Sequence, residues 1–423
     1  MPAIKEVLVE RNTWWKGTFR ADYKDREIYG RIRKFIKMPQ IIAFTGLRRV
    51  GKSTLMHKII EDKIAEGFDP KNIIYFPFDE FKDAEIRNII AEYERIVEKD
   101  IQKEKFVILL DEVQKLRNWE DQLKSLYDVH KGRIKFFISG SESLFIGKKV
   151  TETLGGRIFS FKVEPLKFRE FLAFRNFTAE PAGIYGKELL KIFDEFVLTM
   201  GFPELVGVKD REVVKKYVKE GIVDKVIYRD LPALFPIKDL SLMESLLNIL
   251  IEGQGQIVEV GELSKELRIS RQTVSLYLRY LQDAFLVRKL YNFSTNRRKI
   301  ERKLKKYYTA VNSADSVFSP DQLSKSKVFE WLVVNQLEAE FFWRDTFKNE
   351  VDVVMANDKF VPVEIKYGKT RTDGLLAFMK RFGIGEGYIV SYDKEEDIKT
   401  DGKVIHVVPA FKFLLTEKTI GND

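Results

Sequence analysis

Gly46-Leu47-Arg48-Arg49-Val50-Gly51-Lys52-Ser53 is the stretch on which the reading of this chain turns. A glycine, four residues and then Gly-Lys-Ser is the spacing of a phosphate-binding loop. The run before it, Gln40-Ile41-Ile42-Ala43-Phe44, is apolar and β-branched and predicts a buried parallel strand. The run after it, Thr54-Leu55-Met56-His57-Lys58-Ile59-Ile60, has helical spacing and no breaker. Strand, glycine loop and helix together aim loop N–H groups and a helix N-terminus at an anion. Gly46, Arg48, Arg49, Val50, Gly51, Lys52, Ser53 and Thr54 are therefore expected to line a nucleoside triphosphate, ATP. Lys52 would reach the β- and γ-phosphates and Ser53 would hold Mg²⁺. Two readings of Arg48 and Arg49 stand: contact with phosphate, or simple solvation.

A second acidic motif is needed on a neighbouring strand. Lys105-Phe106-Val107-Ile108-Leu109-Leu110 is an apolar run that ends in Asp111-Glu112. It places both carboxylates at the C-terminal edge of a parallel strand, where open α/β sheets bind ligands. Asp111 is expected to hold Mg²⁺ and Glu112 to polarise the attacking water. A third strand, Ile134 to Ile138, ends in Ser139-Gly140-Ser141. Ser139 and Ser141 are either γ-phosphate sensors or part of a strand-ending turn. Arg157 is a candidate arginine finger for a neighbouring subunit's nucleotide.

The totals bound the rest. A chain of 423 residues is expected to hold two to four domains. No segment approaches the roughly 20 apolar residues that span a bilayer, and Met1 to Asn12 does not read as a signal peptide. There is no cysteine, and the three histidines lie far apart, which argues against disulfides and thiolate or histidine zinc sites. The expectation is a soluble cytoplasmic protein without a membrane partner. The net charge of +9 permits an acidic partner such as DNA. Abundant Lys and Glu also fit a hyperthermophile's surface.

From Leu247 to Leu290 the pattern is helix, helix, helix, strand. Gly261 to Leu267 reads as a short helix, Ser270 as an N-cap and Arg271 to Leu281 as a second helix with Val274, Tyr277, Leu278 and Leu281 inward. This is the outline of a winged helix-turn-helix. Arg271, Gln272, Ser275 and Arg279 face outward as candidate DNA contacts, and Phe285 to Leu290 is the first wing strand. A lid or protein-docking role is the competing reading. Seven basic residues lie between Arg297 and Lys306, and Arg297, Arg298 and Lys299 are added to the DNA-contact set. The alternative there is a solvated linker and edge strand.

Further on, Val328 to Leu337 reads as a helix with Glu330 near its start. Phe341 to Arg344, Glu350 to Met355 and Phe360 to Lys366 read as three strands. Glu364 and Lys366 share one strand face, and Asp352 lies on the hairpin beside them. Carboxylates on neighbouring strands suit Mg²⁺. Asp352, Glu364 and Lys366 are thus a candidate catalytic set, with Asp352, Glu364 and Glu330 as metal ligands and Lys366 acting on the attacking water.

These motifs resemble a family. Gly46 to Thr54 is similar to the "GxRRVGK(S/T)T" loop of an archaeal and bacterial group of AAA+ ATPases. Leu110-Asp111-Glu112-Val113-Gln114 with Trp119, Ile138 to Ser143, Leu154 to Arg157, Pro165 to Phe171, Gly201 to Glu204 and Tyr228 to Leu231 resemble later elements of that group. Lys167 stands where Ser is usual, and Ser139 where Thr is commoner. The tail, with Glu350 to Val354 and Val363 to Tyr367, resembles the PD-(D/E)xK fold of restriction-type nucleases. The resemblance implies an α/β P-loop AAA+ core (1–175), a helical lid region (176–244), a winged helix (245–294) and a nuclease-like domain (295–423). It also implies a homo-oligomer. Two function classes follow. One is an ATPase that acts on DNA by remodelling or cleavage. The other is an ATP-gated signalling or defence switch whose tail is a silent or conditionally triggered binding module.

Overall fold

The computed structural model describes residues 3–79, 81, 83–140, 152–178, 184–296, 300, 304–356, 359–368 and 370–416. The chain divides into two compact units, Met1–Glu164 and Pro165–Asp423.

Five apolar runs of the first unit become parallel strands: β1 (Ile41–Thr45), β2 (Ile73–Pro77), β3 (Phe106–Asp111), β4 (Ile134–Gly140) and β5 (Ile158–Lys162). Their order is β2-β3-β4-β1-β5. β1 and β3 are buried along their whole length, as strands covered on both faces must be. The helices Lys52–Ala65, Ile86–Val97 and Trp119–His130 follow β1, β2 and β3. Ile89, Tyr93, Leu123 and Leu126 pack with Ile74, Phe76, Ile108 and Phe136 of the strands. β1 pairs in parallel with β4 on one side and β5 on the other, and the order of the strands turns back beside it. The loop after β1 therefore opens at the kind of switch point where such sheets bind ligands.

β2 is an edge strand, and the N-terminal segment covers it. Asn12 is fully buried. Its Nδ2 donates to the Tyr75 carbonyl at 2.9 Å, and its Oδ1 accepts from the Tyr75 amide at 2.7 Å. One side chain thus supplies the pair of bonds a neighbouring strand would make. The indoles of Trp14 and Trp15 both donate to the Ile73 carbonyl, so this tryptophan pair packs on its own sheet.

In the second unit a run of helices precedes two sheets. One is β7-β6-β8-β9, built from β6 (Val287–Asn292), β7 (Lys305–Thr309), β8 (Phe341–Arg344) and β9 (Glu350–Val351). The other is β10-β11-β12-β14-β13, built from β10 (Val353–Ala356), β11 (Phe360–Lys366), β12 (Glu386–Ser391), β13 (Glu396–Thr400) and β14 (Lys403–Pro409). Phe193, on the helix Gly186–Thr199 of the expected lid region, stands edge-on to Phe329 at 6.2 Å in this unit.

Three local features differ from the sequence expectation. The strand expected over 350–355 is two strands. β9 pairs with β8 and β10 with β11, so the chain changes sheets at Asp352. The helix carrying Glu330 begins at Gln322, because Asp321 caps it by accepting from the Ser324 amide at 2.9 Å. Glu330 therefore lies well inside the helix rather than near its start. β6, which covers most of the expected first wing strand, pairs antiparallel with β7 and also in parallel with β8 through Tyr291 and Asn292. The boundary expected at 294 falls between β6 and β7 of that sheet. Among the described residues no helix is long and apolar enough to cross a membrane.

Candidate nucleotide site and carboxylate centre

Gly46 leaves β1 with φ +140°, and a Cβ there would lie 2.3 Å from the Val163 carbonyl oxygen. Only glycine fits that turn. Gly51 at φ +97° leads into the helix Lys52–Ala65. Val50 is buried, Arg48 and Thr54 are half-buried, and Arg49 is exposed with φ +65°. Lys52 is itself buried. Its ammonium donates to the carbonyls of Gly46 and Leu47, both at 3.0 Å. The cation thus spans the cradle that a triphosphate would enter.

Asp111 ends β3 beside this loop and is held by neutral donors. Its Oδ2 accepts from Ser53 Oγ at 2.6 Å and from the Tyr75 hydroxyl at 2.7 Å. Its Oδ1 accepts from the Glu112 amide at 3.1 Å and from the Ser139 hydroxyl. Ser139 Oγ also accepts from the Glu112 amide at 3.1 Å, so it braces both carboxylate residues. Glu112 takes φ +54°. Its Oε2 accepts from Gln114 Nε2 at 2.7 Å and lies 3.8 Å from Lys115 Nζ. Burial, with the Asp111 charge added, holds the Tyr75 phenol far above its ordinary pKa. It stays a donor at all working pH values.

Sequence reasoning missed two residues of this site. Tyr75 is one. The other is Arg26, a buried residue ahead of the core, whose Nη1 donates to the Val50 carbonyl at 2.9 Å and Nη2 to the Glu164 carbonyl at 2.8 Å. It clips the phosphate loop to the chain leaving β5. No local pattern around Tyr75 or Arg26 marks them.

Ser141 lies outside the described residues. Arg157 pairs with Asp128 at 2.9 Å. It precedes β5, whose first residue aligns with Ile41, so it stands at the sheet edge opposite the phosphate loop. A strand of this length separates the two by roughly 16 Å. Arg157 therefore does not reach its own chain's nucleotide cradle.

In the second unit the fold brings Glu330, Asp352, Glu364 and Lys366 together. Lys366 Nζ lies 2.6 Å from Glu364 Oε1 and 3.7 Å from Asp352 Oδ2. Asp352 Oδ2 accepts from the Ile365 amide at 2.8 Å, which ties the sheet-switch point to β11. Glu330 Oε1 accepts from the Tyr308 hydroxyl at 2.7 Å. Lys306, almost completely buried, pairs with Glu350 at 2.6 Å, and Arg344 reaches the other oxygen at 3.1 Å. Lys306, Tyr308 and Glu350 were not expected here. Burial, then the neighbouring Asp352 charge, pushes the Glu330 and Glu364 carboxyls above the usual glutamate range, against the pull of the lysines. The surrounding carboxylates hold the Lys366 and Lys306 ammonium groups charged.

Among the described residues no three His, Cys, Asp or Glu side chains close into a metal cage. The donor set still fits Mg²⁺, which takes one or two protein carboxylates and completes its shell with water. Glu364 Oε2 is buried with no hydrogen-bond partner, the expected state of an oxygen reserved for a cation.

The helix Arg271–Asp283 starts at Ser270, whose hydroxyl accepts from the Thr273 amide at 3.1 Å. Arg271, Gln272, Ser275 and Arg279 are all exposed. Arg279 lies 3.7 Å from Asp283, and the Arg271 guanidinium rests against Gly261 of the preceding helix. Arg297, Arg298 and Lys299 lie outside the described residues.

Comparison with known proteins fits this geometry. Residues 38–172 match the family model described as an AAA domain. Two further matches are to domains of unknown function, DUF8612 over 190–311 and DUF4143 over 326–413. An uncharacterized protein of Methanocaldococcus jannaschii, MJ1544, is 29% identical over 405 residues, covering 88% of this chain and 87% of that protein. An uncharacterized protein of Haemophilus influenzae is 25% identical over 304 residues, covering 69% and 71%. Among solved structures, a RuvB variant of Thermotoga maritima covers 62% of this chain and 87% of its own at 15% identity and a TM-score of 0.31. AMPPCP-bound DnaA from Aquifex aeolicus covers 61% and 86% at 13% and 0.29. Superpositions this loose have no bearing on function. The AAA match over residues 38–172, the five-stranded parallel sheet and the phosphate loop agree on an AAA-type P-loop core in the first unit.

Proposed function

We propose that the chain hydrolyses ATP in its first unit and uses that cycle to control how its second unit holds or cuts DNA. The observation that carries the first half is the Ser53 hydroxyl 2.6 Å from Asp111 Oδ2. A hydroxyl and a carboxylate that close can share one magnesium ion. Ser53 and Asp111 would hold Mg²⁺, which would supply charge neutralisation for phosphoryl transfer. Lys52 exchanges the Gly46 and Leu47 carbonyls for phosphate oxygens. Glu112 exchanges its Gln114 partner for the attacking water, and Ser139 keeps both acidic residues in register. Arg157 is assigned to the nucleotide of an adjacent copy.

The DNA half rests on two supports. Four exposed polar or basic side chains line the outer face of the helix Arg271–Asp283, a suitable face for a major groove. The Asp352–Glu364–Lys366 centre suits phosphodiester hydrolysis. Asp352 and Glu364 would hold Mg²⁺, which would supply Lewis-acid charge stabilisation at the phosphate, and Lys366 would orient the attacking water.

Two assays test the proposal. Purified protein should hydrolyse ATP, with turnover raised by DNA and the rise lost steeply with salt. Lys52→Ala should lower turnover by about 10²–10³. A hydrolysis rate indifferent to DNA would move the reading to the ATP-gated switch. Plasmid cleavage in Mg²⁺ or Mn²⁺ should be lost in Asp352→Ala and Lys366→Ala; equal cutting by both variants would remove the cleavage assignment.

A further inference from the structure

Lys306 and Tyr308 are alternate residues of β7, so their side chains leave the same face of the strand. The Lys306 ammonium passes over the Phe342 ring, 5.3 Å from its centroid, and ends 2.6 Å from Glu350 Oε1. The Tyr308 ring is fully buried, and its hydroxyl donates to Glu330 Oε1 at 2.7 Å. Gly255 completes the seat of Glu330, since a Cβ there would lie 2.4 Å from the same carboxylate oxygen. Both contacts end on the carboxylate centre. Glu330 belongs to it directly, and Glu350 stands two residues from Asp352, where the chain changes sheets. Yet β7 and Gly255 lie in the 190–311 match, and the carboxylates lie in the 326–413 match.

We propose that Lys306 and Tyr308 are positioning residues for the carboxylate centre, so that its hold on a divalent cation depends on a strand supplied by the preceding segment of the chain. Tyr308 fixes the rotamer of Glu330, the buried neighbour of the ligand Asp352. Lys306, through Glu350, fixes the backbone that presents Asp352. Neither touches substrate. The inference rests on the metal-site reading given under Proposed function. Partners of this kind, which orient ligands without binding the ion, typically account for about 10–100-fold in metal affinity.

The test is a Mn²⁺ titration by calorimetry on the nucleotide-free full chain, in an Asp111→Asn background that removes the carboxylate at the phosphate loop. Glu364→Gln in that background is the control without the centre. Tyr308→Phe keeps the buried ring and removes only the hydroxyl, and it should bind Mn²⁺ about 10–100-fold more weakly at temperatures where circular dichroism shows it folded. Lys306→Met should lose at least as much, but its removal from a buried pair can also prevent folding, so Tyr308→Phe is the deciding variant. A merely structural role would lower the unfolding midpoint and leave the affinity of the folded protein unchanged. Mn²⁺ affinity in Tyr308→Phe equal to the background would overturn the inference while leaving the metal site standing. A background that binds Mn²⁺ no better than Glu364→Gln would overturn the metal-site reading, and the inference with it.

Discussion

At the phosphate loop, Asp111 is met by hydroxyls and an amide from Ser53, Tyr75, Ser139 and Glu112. In the second unit, by contrast, Glu364 and Glu350 are met by the ammonium groups of Lys366 and Lys306. The two arrangements answer different needs. Hydroxyls can turn to admit a metal ion and leave no charge behind. Ammonium groups hold several acids together in a poorly hydrated place, where mutual repulsion would otherwise drive them apart. The first centre therefore holds its carboxylate without a counter-charge. The second depends for its shape on buried pairs.

The contrast can be broken most severely at Gly46. Gly46→Ala drives a Cβ into the Val163 carbonyl at a φ of +140°. It should abolish ATP binding and lower stability by about 3 kcal/mol, read by nucleotide titration and urea unfolding. Mn²⁺ binding in the second unit should be unaffected.

A pH series separates the centres next. Glu330 and Glu364 have pKa values above the ordinary 4.5 in the fold. The folded chain then holds more protons than the unfolded one, and stability falls as pH rises from 4.5 through neutrality. The slope is at most about 1.4 kcal/mol per pH unit for each group. The lowered pKa values of Asp62 and Asp69 act only around and below their ordinary 3.8, outside that window. His57, His130 and Lys135, whose pKa values burial lowers, act in the opposite sense within it, so the test is the difference: from pH 5 to pH 8 the urea midpoint of the wild type should fall relative to that of Glu364→Gln. An identical pH profile would remove Glu364 as a source.

Tyr75→Phe takes one of four donors from Asp111. It should cost about 1 kcal/mol, or about five-fold in kcat/KM for ATP. A loss of several orders of magnitude would show that the hydroxyl-held centre is not tolerant. The smallest effect is expected at Arg279→Ala, which should reduce the salt slope of DNA binding by about 1 without changing ATP turnover in the absence of DNA.

The difference between the centres also explains how much of each is legible in the sequence. Gly46 to Ser53 is one contiguous segment, and Asp111-Glu112 ends a single apolar run. Their chemistry is local, so linear spacing carries it. Glu364 and Lys366 are legible for the same reason. Asp352 is legible as a residue but not as a switch between sheets, because the break at 352 comes from pairing with two different partners. The apolar pattern alone misplaces Glu330 within its helix, because the polar Asp321 cap, and not the first apolar residue, sets the helix start.

Sequence alone determined the phosphate loop, the acidic pair after the third apolar run and the Glu-x-Lys strand, since each is a short pattern of residue types at fixed separation. Tertiary structure alone decided that Arg26 clips the loop, that Tyr75 reaches Asp111 and that Lys306 and Tyr308 serve carboxylates on later elements. Those contacts join residues between 22 and 138 positions apart. Their geometry comes from strand order and sheet crossing, and no local periodicity records either.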